Sequence, residues 1–249
     1  MSALVVLTRG YSNKKGYDKL LERNKCLEKF HNKNIIYIIF HEGNITDDHQ
    51  QYIQANTILS LIFIDVSESF RKDKIDFYNP TWPIQFGLGY RNMCNFWFCD
   101  FWNYLQKYDK ILRIDEDCCY YSDYNKVFEL LDKKSVVYGN WADDDAFVTK
   151  GLNNFTQRFM IDKNIEIKRR SPSGPYTNVL GLNLHELRKN ILLKEYIYSI
   201  KKSNNIYISR WGDLPLWGDA LTYMFPDNSH ICSNQLQYYH GSHQQHVNM

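Results

Sequence analysis

Apolar residues in this chain come in short unbroken runs separated by polar turns. Residues 3–8 (Ala-Leu-Val-Val-Leu-Thr) and 35–40 (Ile-Ile-Tyr-Ile-Ile-Phe) have the length and β-branched content of strands buried on both faces. Arg9-Gly10 closes the first run and His41-Glu42-Gly43 the second. Between them Tyr17, Leu20, Leu21, Leu27 and Phe30 recur near helical spacing, which predicts a helix over 16–31. A helix at 46–57 and a strand at 60–66 follow. This β-loop-α alternation predicts an α/β fold, a mainly parallel central sheet flanked by helices in the Rossmann manner. Ligands of such sheets bind beyond the carboxyl ends of the strands, where Arg9, Glu42 and Asp115 fall.

Further along, residues 67–89 are polar, carry Pro80, Pro83, Gly87 and Gly89, and read as a long loop. An aromatic-rich helix is expected over 90–107, strands over 110–115 and 135–140, a loop over 168–177, and helices over 184–202 and 213–224. No repeat, low-complexity tract or linker interrupts the pattern, so residues 1–249 are expected to form a single domain.

Composition narrows the function. Formal net charge is +2 and Lys and Arg form no long block, which gives no reason to expect a nucleic-acid partner. Aromatics make up 16% of the residues, a share that serves either core packing or the stacking of sugar faces. The six cysteines (Cys26, Cys94, Cys99, Cys118, Cys119, Cys232) include no CxxC pair. They are expected to be reduced thiols in a reducing compartment. The apolar run at the N-terminus is too short for a signal peptide, and no run is long enough for a transmembrane segment.

The chemistry-bearing residues cluster in three places. Ile111-Leu112-Arg113-Ile114 runs into Asp115-Glu116-Asp117, and acids at the end of a buried strand suit a hard divalent cation bridging nucleotide phosphates. Asp115 and Asp117 are the candidates, with Glu116 pointing to the other side of an extended backbone. A second acid run, Asp143-Asp144-Asp145, reads mainly as a helix N-terminus and secondarily as a metal site. Arg210-Trp211-Gly212-Asp213-Leu214-Pro215 can be a helix start with Asp213 as N-cap, or a sugar site with Asp213 on hydroxyls and Trp211 as a stacking face. In the tail, Tyr238-Tyr239-His240 offers one metal ligand, His240, while His243 and His246 are expected to face solvent.

Together these pieces resemble the fungal α-1,2-mannosyltransferase family. Leu4-Val5-Val6-Leu7-Thr8-Arg9 is similar to its first strand, and Ile38-Ile39-Phe40-His41-Glu42 to its second strand end. Tyr90-Arg91-Asn92-Met93-Cys94-Asn95-Phe96 resembles its Tyr-x-x-Met-Cys-Arg helix. Arg113-Ile114-Asp115-Glu116-Asp117 resembles its Arg-Leu-Glu-Pro-Asp metal motif, Arg210 to Pro215 its Arg-Trp-Gly-Asp-Ala-Pro motif, and Tyr238-Tyr239-His240 its tail with a manganese-ligating His.

The resemblance implies a GT-A fold and a Mn²⁺-dependent glycosyltransferase, with Mg²⁺ as the other possible ion. It would move a hexose from a nucleotide-sugar, GDP-mannose first, to a hydroxyl of a glycan or glycoside acceptor, with retention. It assigns Asp115, Asp117 and His240 to the metal, and Thr8, Arg9, Glu42, Tyr90 and Arg113 to the donor. Arg210, Trp211 and Asp213 fall to the acceptor, with Asp213 also catalytic. Residues 1–120 would carry mostly the nucleotide and metal side, and 121–249 mostly the acceptor side and the metal-ligand tail.

Two departures qualify the likeness. Where the family has a Glu in Asn-Phe-Glu, this chain is aligned through Gly181-Leu182-Asn183-Leu184, which puts Asn183 near that place and Glu186 one turn on. An amide cannot be a carboxylate nucleophile, so Asn183 and Glu186 are the catalytic candidates beside a front-side displacement assisted by the donor phosphate. The family's membrane anchor has no counterpart, which implies a soluble viral or microbial relative, cytoplasmic and not secreted. The alternatives are an inverting transferase using a UDP- or dTDP-sugar, and a sugar- or nucleotide-binding protein that has lost catalysis.

Overall fold

The protein is described by a computed structural model over residues 1–70, 86–168 and 171–248. Pro80 and Pro83 of the expected 67–89 loop, and part of the 168–177 loop, lie outside the described residues. The first half alternates as the apolar runs require: β1 (Ser2–Thr8), α1 (Asp18–Glu28), β2 (Ile35–His41), α2 (Asp47–Ala55) and β3 (Leu61–Asp65). Helix α2 starts where Thr46 accepts the backbone N–H of His49, a side-chain cap that satisfies one orphan donor.

Next come α3 (Leu88–Asn95), β4 (Lys110–Ile114), β5 (Cys118–Tyr120), α4 (Asn125–Leu130), β6 (Val136–Tyr138), β7 (Trp141–Asp143), α5 (Leu152–Asp162), β8 (Ser173–Pro175) and β9 (Val179–Asn183). The chain ends with α6 (Leu184–Leu187), α7 (Ile191–Ser203), α8 (Asn205–Ser209), α9 (Asp213–Tyr223), β10 (His230–Cys232), β11 (Tyr238–His240) and β12 (Gln245–Val247). The helix expected over 90–107 is cut short: α3 gives way to a π-type turn over Phe96–Asp100 and a tight turn over Phe101–Asn103. The one expected over 184–202 is two helices, because Asn190 caps a fresh start by accepting from Leu193 N.

Among the described residues, seven strands form the central sheet in the order β10-β6-β9-β4-β1-β2-β3. Strands β3, β2, β1 and β4 are parallel, as their continuous apolar sequences predict. Strand β9 runs antiparallel between β4 and β6. Phe96, Phe98, Phe101, Trp211 and Trp217 are all buried, so much of the aromatic content serves the core. Two small sheets, β12-β11-β5 and β7-β8, lie beside the main one.

These small sheets build the site. Strand β5 leaves the acidic turn and pairs antiparallel with β11, placing His240 opposite Cys118. The tail is thereby laid against Asp117. Strand β8 approaches the start of α9 so closely that a Cβ on Gly174 would stand 1.9 Å from the Leu214 carbonyl oxygen; only glycine fits.

The expectation that all six cysteines are reduced thiols is corrected. Cys26 on α1 and Cys119 on β5 form a disulfide, their Cα atoms 5.8 Å apart, while Cys94, Cys99 and Cys118 are buried and free and Cys232 is exposed. The pairing spans 93 residues and follows from the packing of α1 on β5, which no spacing rule reveals. Among the described residues, no helix is long and apolar enough to cross a membrane.

Candidate active site

A cleft of about 960 Å³ opens at the carboxyl ends of β1 and β4. Strand β4 feeds it with Arg113, whose side chain is buried. Its Nε donates to Asp115 Oδ1 at 2.8 Å, its Nη2 to Asp115 Oδ2 at 3.1 Å and its Nη1 to Asp213 Oδ2 at 2.6 Å. The guanidinium also lies 4.5 Å from the Trp97 ring centroid. Burial works against the charge on Arg113, but the flanking Asp115 and Asp213 outweigh it and hold the group protonated. Both Asp115 oxygens thus face an arginine, which sets Asp115 apart from Asp117 and His240.

Asp117 and His240 do come together: His240 Nε2 is 3.5 Å from Asp117 Oδ2, and both side chains are about one-tenth exposed. Cys118 Sγ completes a group whose ligand atoms all lie within 4.8 Å of one another. Ser242 donates its backbone N–H to Asp117 Oδ2 at 3.0 Å and its hydroxyl to the same oxygen. Burial would raise the Asp117 carboxyl, but the hydrogen bonds from His240 and Ser242 prevail and hold it well below the usual carboxylate range. A carboxylate beside an imidazole nitrogen suits Mn²⁺, which accepts both, better than Mg²⁺, which favours oxygen alone; burial keeps the nearby Cys118 thiol protonated.

The donor-side candidates are near one another. Arg9 lines the cleft and sits 5.2 Å from the Tyr11 ring centroid. Thr8 donates its hydroxyl to Glu116, whose other oxygen accepts from Tyr11 at 2.7 Å. Burial, reinforced by that bond, pushes the Tyr11 phenol up to about 12. Glu42 does not line the cleft; burial raises its carboxyl and the Arg9 charge opposes that. On the other wall Arg210 holds Asp144 through Nη1 at 2.8 and 3.1 Å and donates Nη2 to the Tyr90 hydroxyl at 2.9 Å. Arg210 is itself in the left-handed region (φ 58°), a strained conformation for a non-glycine residue that turns its side chain back over Phe86.

Several sequence-based assignments are corrected. Trp211 does not face the cleft: it is 2% exposed, packs 5.3 Å from Phe155 and donates Nε1 to the Lys150 carbonyl, so it is core. Asn183 and Glu186 stand at the far end of the sheet. Asn183 pairs with Lys110 at the start of β4, caps α6 by accepting from Glu186 N and donates to the Leu131 carbonyl. Glu186 is exposed and pairs with Lys189. Neither can reach a substrate at the strand ends where Asp115 and Asp213 lie.

Asp213 is the first residue of α9 with Gly212 at the cap, so its carboxylate is not a simple N-cap. Asp143-Asp144-Asp145 is not a helix start either. Asp143 ends β7, and Asp145 begins a turn in which its carbonyl accepts from Val148 and Thr149.

Other cleft residues escaped the sequence. Glu116 was expected to face away, but the chain turns there, Cys118 N bonding back to the Asp115 carbonyl, so strand alternation does not apply. Tyr176 and Asn178 line the cleft from the segment before β9, which read as loop. His243, expected to face solvent, is exposed yet lines the cleft with its Nδ1 2.6 Å from the Tyr176 hydroxyl.

This fold, a mostly parallel sheet with a cleft at the strand ends and an acidic turn met by the tail, is that of the GT-A glycosyltransferases. The mannosyltransferase Ktr4p of Saccharomyces cerevisiae superposes with a TM-score of 0.80 at 18% identity, over 96% of this chain and 70% of that one. Core-mannan synthase A of Aspergillus fumigatus, in an Mn/GDP form, superposes at 0.79 and 17%, over 96% and 74%. Mouse xyloside xylosyltransferase 1 is more distant, at 0.55 and 12%, over 94% and 85%. No protein-family profile and no curated protein sequence matches the chain.

Proposed function

We propose that the protein is a metal-dependent glycosyltransferase that moves a hexose from a nucleotide-sugar, GDP-mannose first among candidates, to a hydroxyl of a glycan or glycoside. The observation that carries this is the meeting of Asp117 and His240, 3.5 Å apart although they come from the acidic turn and the tail. They meet beside a cleft walled by Arg9, Arg113 and Arg210. The two neighbours with TM-scores near 0.8 are a mannosyltransferase and a mannan synthase in an Mn/GDP form, which supports the same donor class and ion.

Asp117 and His240 would hold the ion, with Asp115 behind them on Arg113. When bound, Mn²⁺ supplies charge neutralisation for the donor diphosphate and its leaving group. Arg9 and Tyr90 would bind the donor, and Asp213, fixed by Arg113, would orient the acceptor hydroxyl. With Asn183 and Glu186 at the far end of the sheet, retention would proceed on one face. The acceptor oxygen bonds to the anomeric carbon as the bond to the phosphate oxygen breaks, and the acceptor proton passes to that phosphate oxygen.

The test is donor hydrolysis and binding across GDP-, UDP- and dTDP-sugars, with Mn²⁺ and with chelator. Turnover of one donor that chelator stops supports the reading and names the sugar; no metal-dependent binding of any donor rejects it. Arg113, by occupying both Asp115 oxygens, leaves the ion fewer ligands and favours a second reading, a nucleotide-sugar binder without catalysis. That reading predicts Mn²⁺-dependent binding with no turnover for any acceptor supplied.

A further inference from the structure

The Tyr176 hydroxyl lies 2.9 Å from His240 Nδ1 and 2.6 Å from His243 Nδ1. The two imidazole centroids are 4.4 Å apart. A phenol has one hydrogen, so it can donate to only one of the two rings, and the other must donate to it.

Ligation assigns the roles: a His240 that turns Nε2 to a cation beside Asp117 carries its hydrogen on Nδ1, the nitrogen that meets Tyr176. His240 therefore donates Nδ1–H to Tyr176, and Tyr176 donates to His243 Nδ1. Each ring's free nitrogen is then fixed in the opposite sense. With a cation bound, His240 Nε2 presents its lone pair on the side of Asp117 Oδ2, 3.5 Å away; without one, the same nitrogen carries hydrogen toward that carboxylate. His243 Nε2 is left carrying hydrogen, on a residue that lines the cleft beside the cation site.

We propose that Tyr176 holds His240 and His243 in opposite tautomers, so that His240 offers a lone pair to the cation and His243 offers an N–H to the diphosphate of the bound nucleotide. This rests on the glycosyltransferase reading and adds to it a diphosphate-binding residue, His243, and a positioning residue, Tyr176. A metal-ligating histidine oriented through its second nitrogen is a general device; here one hydroxyl orients two rings for two tasks.

The test is calorimetric binding of Mn²⁺ alone, and of GDP, UDP and dTDP with Mn²⁺. It compares wild type with His243→Ala, His243→Gln, Tyr176→Phe and Asp117→Ala. His243→Ala should weaken the tightest nucleoside diphosphate about tenfold or more, as for a lost hydrogen bond to a charged group, and leave Mn²⁺ affinity unchanged. His243→Gln, whose amide restores an N–H near the Nε2 position, should recover most of that loss. Tyr176→Phe should weaken both Mn²⁺ and nucleotide.

Nitrogen-15 correlation spectra of the Zn²⁺-loaded protein should show hydrogen on His243 Nε2. Hydrogen on His243 Nδ1 instead, or full nucleotide affinity in His243→Ala, overturns the proposal. If Asp117→Ala also binds Mn²⁺ and nucleotide as wild type does, the underlying metal-site reading fails. If only Asp117→Ala loses them, the fault lies with the His243 assignment alone.

Discussion

Arg113 and Asp213 are 100 positions apart in sequence and 2.6 Å apart in the fold, with Nη1 donating to Oδ2. The same guanidinium grips both oxygens of Asp115, so one buried cation ties the end of β4 to the start of α9 across the floor of the cleft. Replacing it leaves the buried Asp213 and the part-buried Asp115 without their partner. Arg113→Leu should cost about 3–5 kcal/mol of stability, as for breaking a buried ion pair. Arg113→Lys should recover only part of that, because an ammonium cannot make the forked contact with Asp115. Thermal unfolding measures both; a melting point within a degree of wild type for Arg113→Leu would show that the bridge adds nothing.

Asp213→Asn tests the chemistry at the other end of the same contact. The amide keeps the shape and the acceptor oxygen but loses the charge, so the fold should survive. Turnover should drop about a hundredfold or more while donor binding changes little, as expected for a group acting on the acceptor hydroxyl. Equal loss of donor affinity and turnover would move Asp213 to the donor side.

The expected α/β architecture and several strand limits were legible because a parallel sheet buried on both faces writes itself as unbroken apolar runs, as in Ile35–His41. Strand β9 was not, because Val179-Leu180-Gly181-Leu182-Asn183 is too short and glycine-interrupted to stand out. Asn183, the catalytic candidate drawn from that stretch, therefore lies at the wrong end of the sheet. Asp117 and His240 were picked by residue type, whereas Glu116, Tyr176 and His243 depend on a turn and on tertiary pairing. The Cys26–Cys119 link depends on helix α1 packing on β5, a long-range contact without a local signature.

The Asn183 correction carries its own prediction. Asn183→Ala should cost about 1 kcal/mol through the lost cap of α6 and leave turnover unchanged once the protein is folded. Glu186→Ala, at an exposed pair with Lys189, should change stability by less than about 0.5 kcal/mol and activity not at all. A large loss of turnover in either variant, measured at saturating donor and with a normal melting curve, would return catalysis to that end of the sheet.

The disulfide gives a prediction that separates scaffold from chemistry. Closing a loop of 93 residues restricts the unfolded chain, so Cys26→Ser should lower stability by about 2–4 kcal/mol. Reductant should do the same to wild type and nothing to the variant. Because Cys119 pairs with Tyr239 of β11 two residues from Asp117, loosening it should also weaken Mn²⁺ binding more than it disturbs the distant β1–β2 pairing.

Asp117 gives the clearest dependence on pH. Its folded carboxyl lies below the ordinary value, near 3.9 in an unfolded chain, because the hydrogen bonds of His240 and Ser242 outweigh burial. A depressed carboxyl contributes stability that is fully present above about pH 4 and is lost as pH falls through the lowered folded value. Asp117→Asn cannot titrate, so the wild-type advantage should be constant from about pH 7 to pH 4 and shrink only below that. Melting curves of the two metal-free proteins across that range are the measurement. Mn²⁺ should raise the wild-type melting point at neutral pH and leave Asp117→Asn nearly unmoved, since an amide is a far weaker ligand for the ion. An advantage that vanished between pH 7 and pH 5 instead would place the titrating group elsewhere and leave Asp117 without its stated environment.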